Sequence, residues 1–501
     1  KKDALLNIHF PKSDVLLAQS IRRLKFEEFF FIQLGLLKMK QHRKKINLSY
    51  PFSNIGDHFN SFYKEQLPFE LTNAQKRVLK EIRMDVASGK QMNRLVQGDV
   101  GSGKTIVALM VMLMAKDNGF QACLMAPTEI LATQHFQGLE EMVNAVGMNM
   151  ALLTGSTKTA RRREIHEALE SGELDILVGT HALLEDKVKY KNLGVAIIDE
   201  QHRFGVSQRS KMWKKNDRPP HVLVMTATPI PRTLAMTVYG DLDISVIDEL
   251  PPGRKPITTL HKTDKHRLSL FHFLKKEIEL GRQVYIVYPL IEESDTLDYK
   301  DLMDGYESIC RHFPRPQFQV SVVHGRMKSD DKEAEMARFV KGETHIMVAT
   351  TVIEVGVNVP NASVMVIESA ERFGLSQLHQ LRGRVGRGAE KSYCILMSDS
   401  KLSSDAKFRI KTMVQTQDGF EIANADLKLR GPGDIMGTRQ SGLLNLKLGD
   451  LSKDSKILQF ARKTAKEILT DDPDLSSDSN RLVKKEFMRA HHNKIQWSDI
   501  S

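Results

Sequence analysis

Gly98-Asp99-Val100-Gly101-Ser102-Gly103-Lys104-Thr105 lies between two apolar runs, residues 94–97 and 106–115. It matches G-x-x-x-x-G-K-[ST] in the strand, loop and helix setting which that pattern requires. Its glycines let backbone N–H groups curve around phosphate oxygens, and the positive end of the following helix adds to the attraction. Lys104 then reaches the β- and γ-phosphates, and the Thr105 hydroxyl is placed to bind Mg²⁺. Gly98, Gly101, Ser102, Gly103, Lys104 and Thr105 are the expected nucleotide-binding residues.

Working outward, residues 122–126, 176–179, 195–198 and 222–226 are further apolar or β-branched runs that end in polar or glycine-containing turns. Helical patterns separate them, so the reading is α/β with a parallel sheet, whose ligands bind beyond the carboxyl ends of the strands. Residues 249–256 (Glu-Leu-Pro-Pro-Gly-Arg-Lys-Pro) form a stiff break. A second strand series follows at 283–288, 319–323, 346–349, 364–368 and 393–397, which predicts a second lobe. Residues 14–45 show helical spacing, 47–67 read as a linker, the chain after 400 is helical and charged, and 471–480 is expected to be a flexible loop. The division expected is a helical connector (1–48), a linker (49–66), lobe one (67–250), lobe two (251–400) and a helical C-terminal extension (401–501).

Two further clusters carry chemistry. Ile197-Ile198-Asp199-Glu200 reads as a buried strand ending in two carboxylates. About 100 residues beyond a phosphate loop, this suits Asp199 holding Mg²⁺ and Glu200 polarising an attacking water. A solvated acidic turn is the alternative. Gln380-Leu-Arg-Gly-Arg384-Val-Gly-Arg387 supplies arginines that could stabilise phosphoryl-transfer charge from across a cleft, or bind a phosphate backbone.

Composition narrows the rest. With 501 residues the chain is long enough for about three domains. Lys plus Arg total 73 against 62 Asp plus Glu, a formal charge of +11 that favours polyanionic partners. Cys123, Cys310 and Cys394 are far apart, so neither a disulfide framework nor a zinc site is expected and a reducing cytoplasm fits. The run 106–115 is half the length of a membrane span, and the first residues, Lys-Lys-Asp, lead into no apolar signal segment, so secretion is not expected. His491-His492 in the charged tail suggests no metal site.

The order GDVGSGKT (98–105), APTEILATQH (126–135), TGS (154–156), GTHALL (179–184), DEQH (199–202), TATPIPRT (226–233), ATTVIEVGVNVP (349–360) and QLRGRVGRG (380–388) resembles the superfamily 2 helicases. IIDEQHRFGVSQR (197–209) followed by DLKLRGPGDIMGTRQSG (426–442) narrows the resemblance to the RecG family of bacterial branched-DNA translocases. The resemblance implies two RecA-like lobes closing on ATP and Mg²⁺, with Lys104, Asp199, Glu200, Gln380, Arg384 and Arg387 serving hydrolysis. It also implies adenine reading by Phe69 and Gln75, and backbone contacts to nucleic acid by Thr128, Thr154, Gly155, Thr180, Thr351 and Glu354. Thr226-Ala227-Thr228 would link hydrolysis to lobe movement. Arg409, Arg430 and Gln440 would convert that movement into travel along duplex DNA.

The implied partners are branched and double-stranded DNA, with single-strand DNA-binding protein a further candidate, for a monomer in the bacterial cytoplasm near the nucleoid. Two departures stand out. Asn358 occupies a position where the family pattern commonly has Asp, and nothing before Asp14 encodes the N-terminal wedge domain, so a truncated chain is expected. The rival readings are a transcription-repair coupling translocase and a non-catalytic ATP-gated DNA-binding module. DEQH at 199–202 weighs against the first, and the intact Lys104, Glu200 and Arg387 set weighs against the second.

Overall fold

A computed structural model describes the chain apart from residue 68 and residues 201–214, 239–241, 252–254, 290–294, 351–358, 387, 389–390, 436–445 and 492–501. Two parallel sheets organise it. The first contains β1 (Asn93–Gly98), β2 (Gln121–Met125), β3 (Met150–Leu153), β4 (Ile176–Gly179), β5 (Leu193–Asp199), β6 (His221–Thr226) and β7 (Asp243–Ile247), in the order β3-β4-β2-β5-β6-β1-β7. The second contains β8 (Ile257–Thr263), β9 (Gln283–Val287), β10 (Val320–Val323), β11 (Ile346–Ala349), β12 (Ala362–Ile367) and β13 (Ser392–Ser398), in the order β10-β11-β9-β12-β13-β8. The expected two-lobed α/β architecture is present, and the stiff stretch 249–256 falls between the last strand of one sheet and the first of the other.

The helix Lys104–Asp117 shows why its apolar run has no polar face. Every residue from Ile106 to Ala115 is buried, enclosed by the first sheet and by Phe62, Val78 and Ile82. A helix apolar on all sides is stable only when covered on all sides. Residues 49–66, expected as a linker, help to cover it. Phe52 and Phe62 enter the lobe-one core, and the Asp117 carboxylate accepts from the amides of Gly56, His58 and Phe59, capping the short helix Asp57–Ser61.

The long helix Asp14–Ile46 starts at Ser13, whose hydroxyl accepts from Leu16 N. Its Phe29 and Leu34 are fully buried against Leu458, Ala461 and Ala465 of the helix Ser455–Asp471. Gln33 joins both helices to lobe one: its amide donates to Met236 O (3.2 Å) and accepts from Arg462 (2.7 Å). The chain's two ends therefore share one cluster, to which lobe one adds Leu234. The acidic stretch at 471–480 is also more ordered than expected. Asp472 accepts from the amides of Ser476 and Ser477 and from Asn480, and these bonds hold its carboxyl well below the usual range.

His221, at the start of β6, ties the segment at Tyr50 to the sheet. Its Nδ1 accepts from Met92 N (3.0 Å) and its Nε2 donates to Tyr50 O (2.8 Å), so the ring is neutral. Burial pushes its pKa down to about 4. Because this folded-state value lies below the roughly 6.5 of an unfolded histidine, the stability it protects is full above pH 6.5 and is lost as pH falls toward 4, up to about 3 kcal/mol. His221→Gln should flatten the fall in urea midpoint between pH 7 and pH 4.5. Parallel curves for the two proteins would rule this out.

Candidate nucleotide site and nucleic-acid surface

The phosphate loop leaves the carboxyl end of β1, and its glycines each have a steric reason. Gly101 and Gly103 have φ of +79° and +81°, the left-handed region open to glycine. A Cβ on Gly103 would lie 2.2 Å from Gln75 Nε2, and one on Gly98 would lie 2.5 Å from Ser102 Oγ. Gly103 is also the N-cap of the helix Lys104–Asp117, with no side-chain cap among the described residues, and the N-terminus of a helix attracts an anion. Lys104 Nζ donates to the carbonyls of Gly98 (2.8 Å) and Asp99 (2.9 Å), so the ammonium sits over the loop. Thr105 follows, half-buried, on the first turn.

Asp199 ends β5 and Glu200 follows it, one strand removed from β1 across β6. His135, on the helix Glu129–Ala145, donates Nε2 to Asp199 Oδ2 at 2.8 Å. Burial works against ionisation of Asp199, but the His135 hydrogen bond and the charge of Lys104 hold its carboxyl below the usual range. Glu200 behaves oppositely: burial, then the neighbouring Asp199, pushes its carboxyl up to about 7. Its backbone is left-handed at φ 54°, a strained conformation for a residue with a Cβ. That strain aims the carboxylate at the end of β6, where Oε1 accepts from Ala227 N at 3.3 Å. Two adjacent acids driven apart in pKa suit different tasks, one a permanent anion and the other a proton acceptor.

Lobe two reaches this cleft through the helix Leu375–Arg382 and the turn after it. Gln380 Nε2 donates to Thr228 Oγ1 at 2.6 Å, so its amide is spent on lobe one. His379 Nε2 meets Asp99 Oδ1 at 2.6 Å. Arg384 is half-buried and close enough to Glu200 for its charge to lower that carboxyl's pKa. Arg387 lies outside the described residues.

Several sequence expectations find their residues in other positions. Gln75 has no exposed atom: Nε2 donates to Ser102 O and Oε1 accepts from Thr72 N, so it braces the phosphate loop instead of facing a base. Phe69 is 40% exposed, as a stacking surface must be. Thr128, Thr154, Gly155 and Thr180 are brought together, because they follow the neighbouring strands β2, β3 and β4. The threonine hydroxyls, however, are engaged within the protein or covered. Thr128 caps Leu131 N, Thr154 bonds within its own turn to Ser156, and Thr180 is buried. Gly155 and Ser156 are exposed, and Ser156 is held by Glu129. Arg409 donates to Glu371 O at 2.7 Å, tying the helix Ser404–Gln415 to lobe two. The Arg430 side chain, Thr351, Glu354, Asn358 and Gln440 lie outside what is described.

His135, His379 and Asp99 lie inside or beside the motifs at 126–135, 380–388 and 98–105, and no local pattern gives them a role. A histidine or aspartate within a motif has no readable partner until the fold supplies one. Among the described residues no cluster of three or more His, Cys, Asp or Glu could hold a metal, and no helix is long and apolar enough to cross a membrane.

Sheet order, phosphate loop and cross-cleft arginine define a two-lobed helicase core. Residues 72–237 match the DEAD/DEAH box helicase family and 268–389 the helicase conserved C-terminal domain. Residues 416–501 match the C-terminal part of domain 3 of the ATP-dependent DNA helicase RecG. The chain belongs to the RecG family. It is 52% identical to the ATP-dependent DNA helicase RecG of Synechocystis, covering 96% of this chain and 57% of that protein. Against RecG of Streptococcus pneumoniae the identity is 48%, covering 97% and 72% respectively. This chain thus spans between half and three quarters of the length of these two relatives. A solved structure of RecG bound to a three-way DNA junction matches 91% of this chain and 59% of that one, with a TM-score of 0.74 and 42% identity.

Proposed function

We propose that this chain is the motor portion of an ATP-dependent double-stranded DNA translocase that remodels branched DNA, such as stalled forks and Holliday junctions. The observation that carries the reading is the convergence of Lys104, Asp199 and Glu200 with Arg384 from the second lobe in one cleft. The relative solved on a three-way junction supports the choice of substrate. The match of 416–501 to a RecG domain favours it over a transcription-repair coupling translocase.

In this reading the loop amides and Lys104 bind the β- and γ-phosphates. Glu200 accepts the proton of the attacking water at a carboxylate oxygen, and Arg384 neutralises the charge that develops. Asp199, held ionised, and the Thr105 hydroxyl are hard oxygen donors of the kind Mg²⁺ takes, a cation that keeps most of its waters and needs no larger protein cage. Bound there, Mg²⁺ would offset phosphate charge. The nucleic-acid surface beyond β2, β3 and β4 grips backbone through main-chain groups, which positions without reading sequence.

The test is steady-state ATP hydrolysis without DNA and with blunt duplex, single strand or a model fork, using Lys104→Ala as the blank. Stimulation of at least tenfold by duplex, weakening steeply between 50 and 200 mM salt, is expected. Equal turnover with and without duplex at low salt would exclude the motor.

A further inference from the structure

We propose that Asp99 and His379 form a pin between the lobes that sets the register of the lobe-two arm against the phosphate loop, which makes His379 a positioning residue for ATP hydrolysis. The proposal deepens the motor reading and rests on it for the identity of the reaction. The two residues are 280 positions apart and meet at 2.6 Å, with His379 only 5% exposed. Asp99 lies inside the phosphate loop, and the carbonyl of the same residue accepts from Lys104. His379 directly precedes Gln380 and lies on the last turns of the helix that delivers Arg384. Fixing that one ring therefore fixes the rotation and height of the whole arm.

Hydrogen-bond chemistry sets the state of the ring. Arg382 Nη2 lies 3.0 Å from His379 Nδ1 and a guanidinium can only donate, so Nδ1 is an acceptor. Asp99 Oδ1 is a carboxylate acceptor, so Nε2 carries the proton. The ring is thus a neutral, directional connector with a defined tautomer, and its hydrogen bond to the carboxylate is of the stronger, charge-assisted kind. Arg382 is itself buried, and its Nη1 donates to Met413 O and Thr416 O at 2.9 Å, at the end of the helix Ser404–Gln415. The pin therefore has a footing in the C-terminal helices.

Two glycines leave no slack around it. A Cβ on Gly383 would lie 2.9 Å from Val100 of the phosphate loop, and one on Gly419 would lie 2.7 Å from His379 Nε2 and 3.2 Å from Asp99 Oδ2. The lobes touch here at van der Waals distance. A shift of about 1 Å at such a contact is enough to cost on the order of 10²-fold in rate when the displaced group acts on the reacting atoms.

His379→Ala, His379→Gln, Asp99→Ala and the Asp99→Ala/His379→Ala double variant separate positioning from mere structure. In ATP hydrolysis measured with and without duplex, His379→Ala should lower kcat by about 10- to 100-fold and move KM for ATP by less than about threefold. His379→Gln has a donor and an acceptor at nearly the ring's spacing and should recover to within about threefold of wild type. The double variant should be no slower than the slower single, since a broken pin cannot be broken twice. Full kcat in His379→Ala, a Gln variant as slow as Ala, or multiplied losses in the double variant would each overturn the proposal. Should His379→Ala fail to fold, the Gln rescue and Asp99→Ala still decide it. Melting midpoints of the four proteins read the same cycle without turnover: non-additive losses support the pin and additive ones reject it. Absence of duplex stimulation in the wild type would count against the motor alone.

Discussion

Replacing Glu200 by Gln should cut ATP turnover by about 10²- to 10⁴-fold, the usual contribution of a positioned general base. Nucleotide affinity should stay within a few fold, because in the proposed mechanism the phosphates belong to the loop amides and to Lys104, whose ammonium lies over that loop, and not to Glu200. The amide keeps the carboxylate's shape and can still accept from Ala227 N, so the backbone at φ 54° need not relax. What it removes is a buried negative charge beside Asp199. The variant should therefore melt higher than wild type at pH 8, the signature of a group kept for chemistry at a cost to stability. Turnover within tenfold of wild type would remove Glu200 from the catalytic role. Lost nucleotide binding, measured with a fluorescent ATP analogue, would show instead that the substitution had collapsed the loop.

How far the sequence could be read follows from which interactions are local. The phosphate loop is legible because its function is written in consecutive residues: glycines at left-handed φ, a lysine and a hydroxyl at a helix start. Interior strands are legible because both faces are buried, which makes them continuous apolar runs. The strands that escaped were β3, β7 and β8, and all three lie at sheet edges. β8, Ile-Thr-Thr-Leu-His-Lys-Thr, is mostly half-buried or exposed and has no apolar run to notice. Residues 49–66 looked like a linker because their two anchors, Phe52 and Phe62, are too sparse to form a period.

The site divides along the same line. Residue types at strand ends could be assigned to phosphate chemistry, but the direction of each side chain could not. Thr128 and Thr154 are small hydroxyls at the expected places, yet their oxygens are occupied in a cap and a turn. Gln75 likewise spends its amide on Ser102 O and Thr72 N. His135 on Asp199 and His379 on Asp99 are contacts 64 and 280 residues apart, and no local pattern announces them.

Truncating Arg384 to Ala should lower turnover by about 10³- to 10⁵-fold, the range of an arginine that meets transition-state charge from across a cleft. Arg384, from lobe two, lowers the pKa of Glu200 and so opposes the effects of burial and of Asp199. Removing it should therefore raise the Glu200 pKa further and move the acid limb of the pH–rate profile toward higher pH. Arg384→Lys separates the two contributions. Lysine restores the charge, and with it the position of the acid limb, but lacks the planar fork that can pair two phosphate oxygens, so turnover should stay at least tenfold below wild type. The alternative, that this arginine grips the DNA backbone, makes a different demand. Arg384→Ala would then keep its DNA-free turnover and lose duplex affinity, with a shallower dependence on salt. Measuring DNA-free hydrolysis and duplex binding on the same two variants distinguishes an arginine that completes the nucleotide site from one that holds the track.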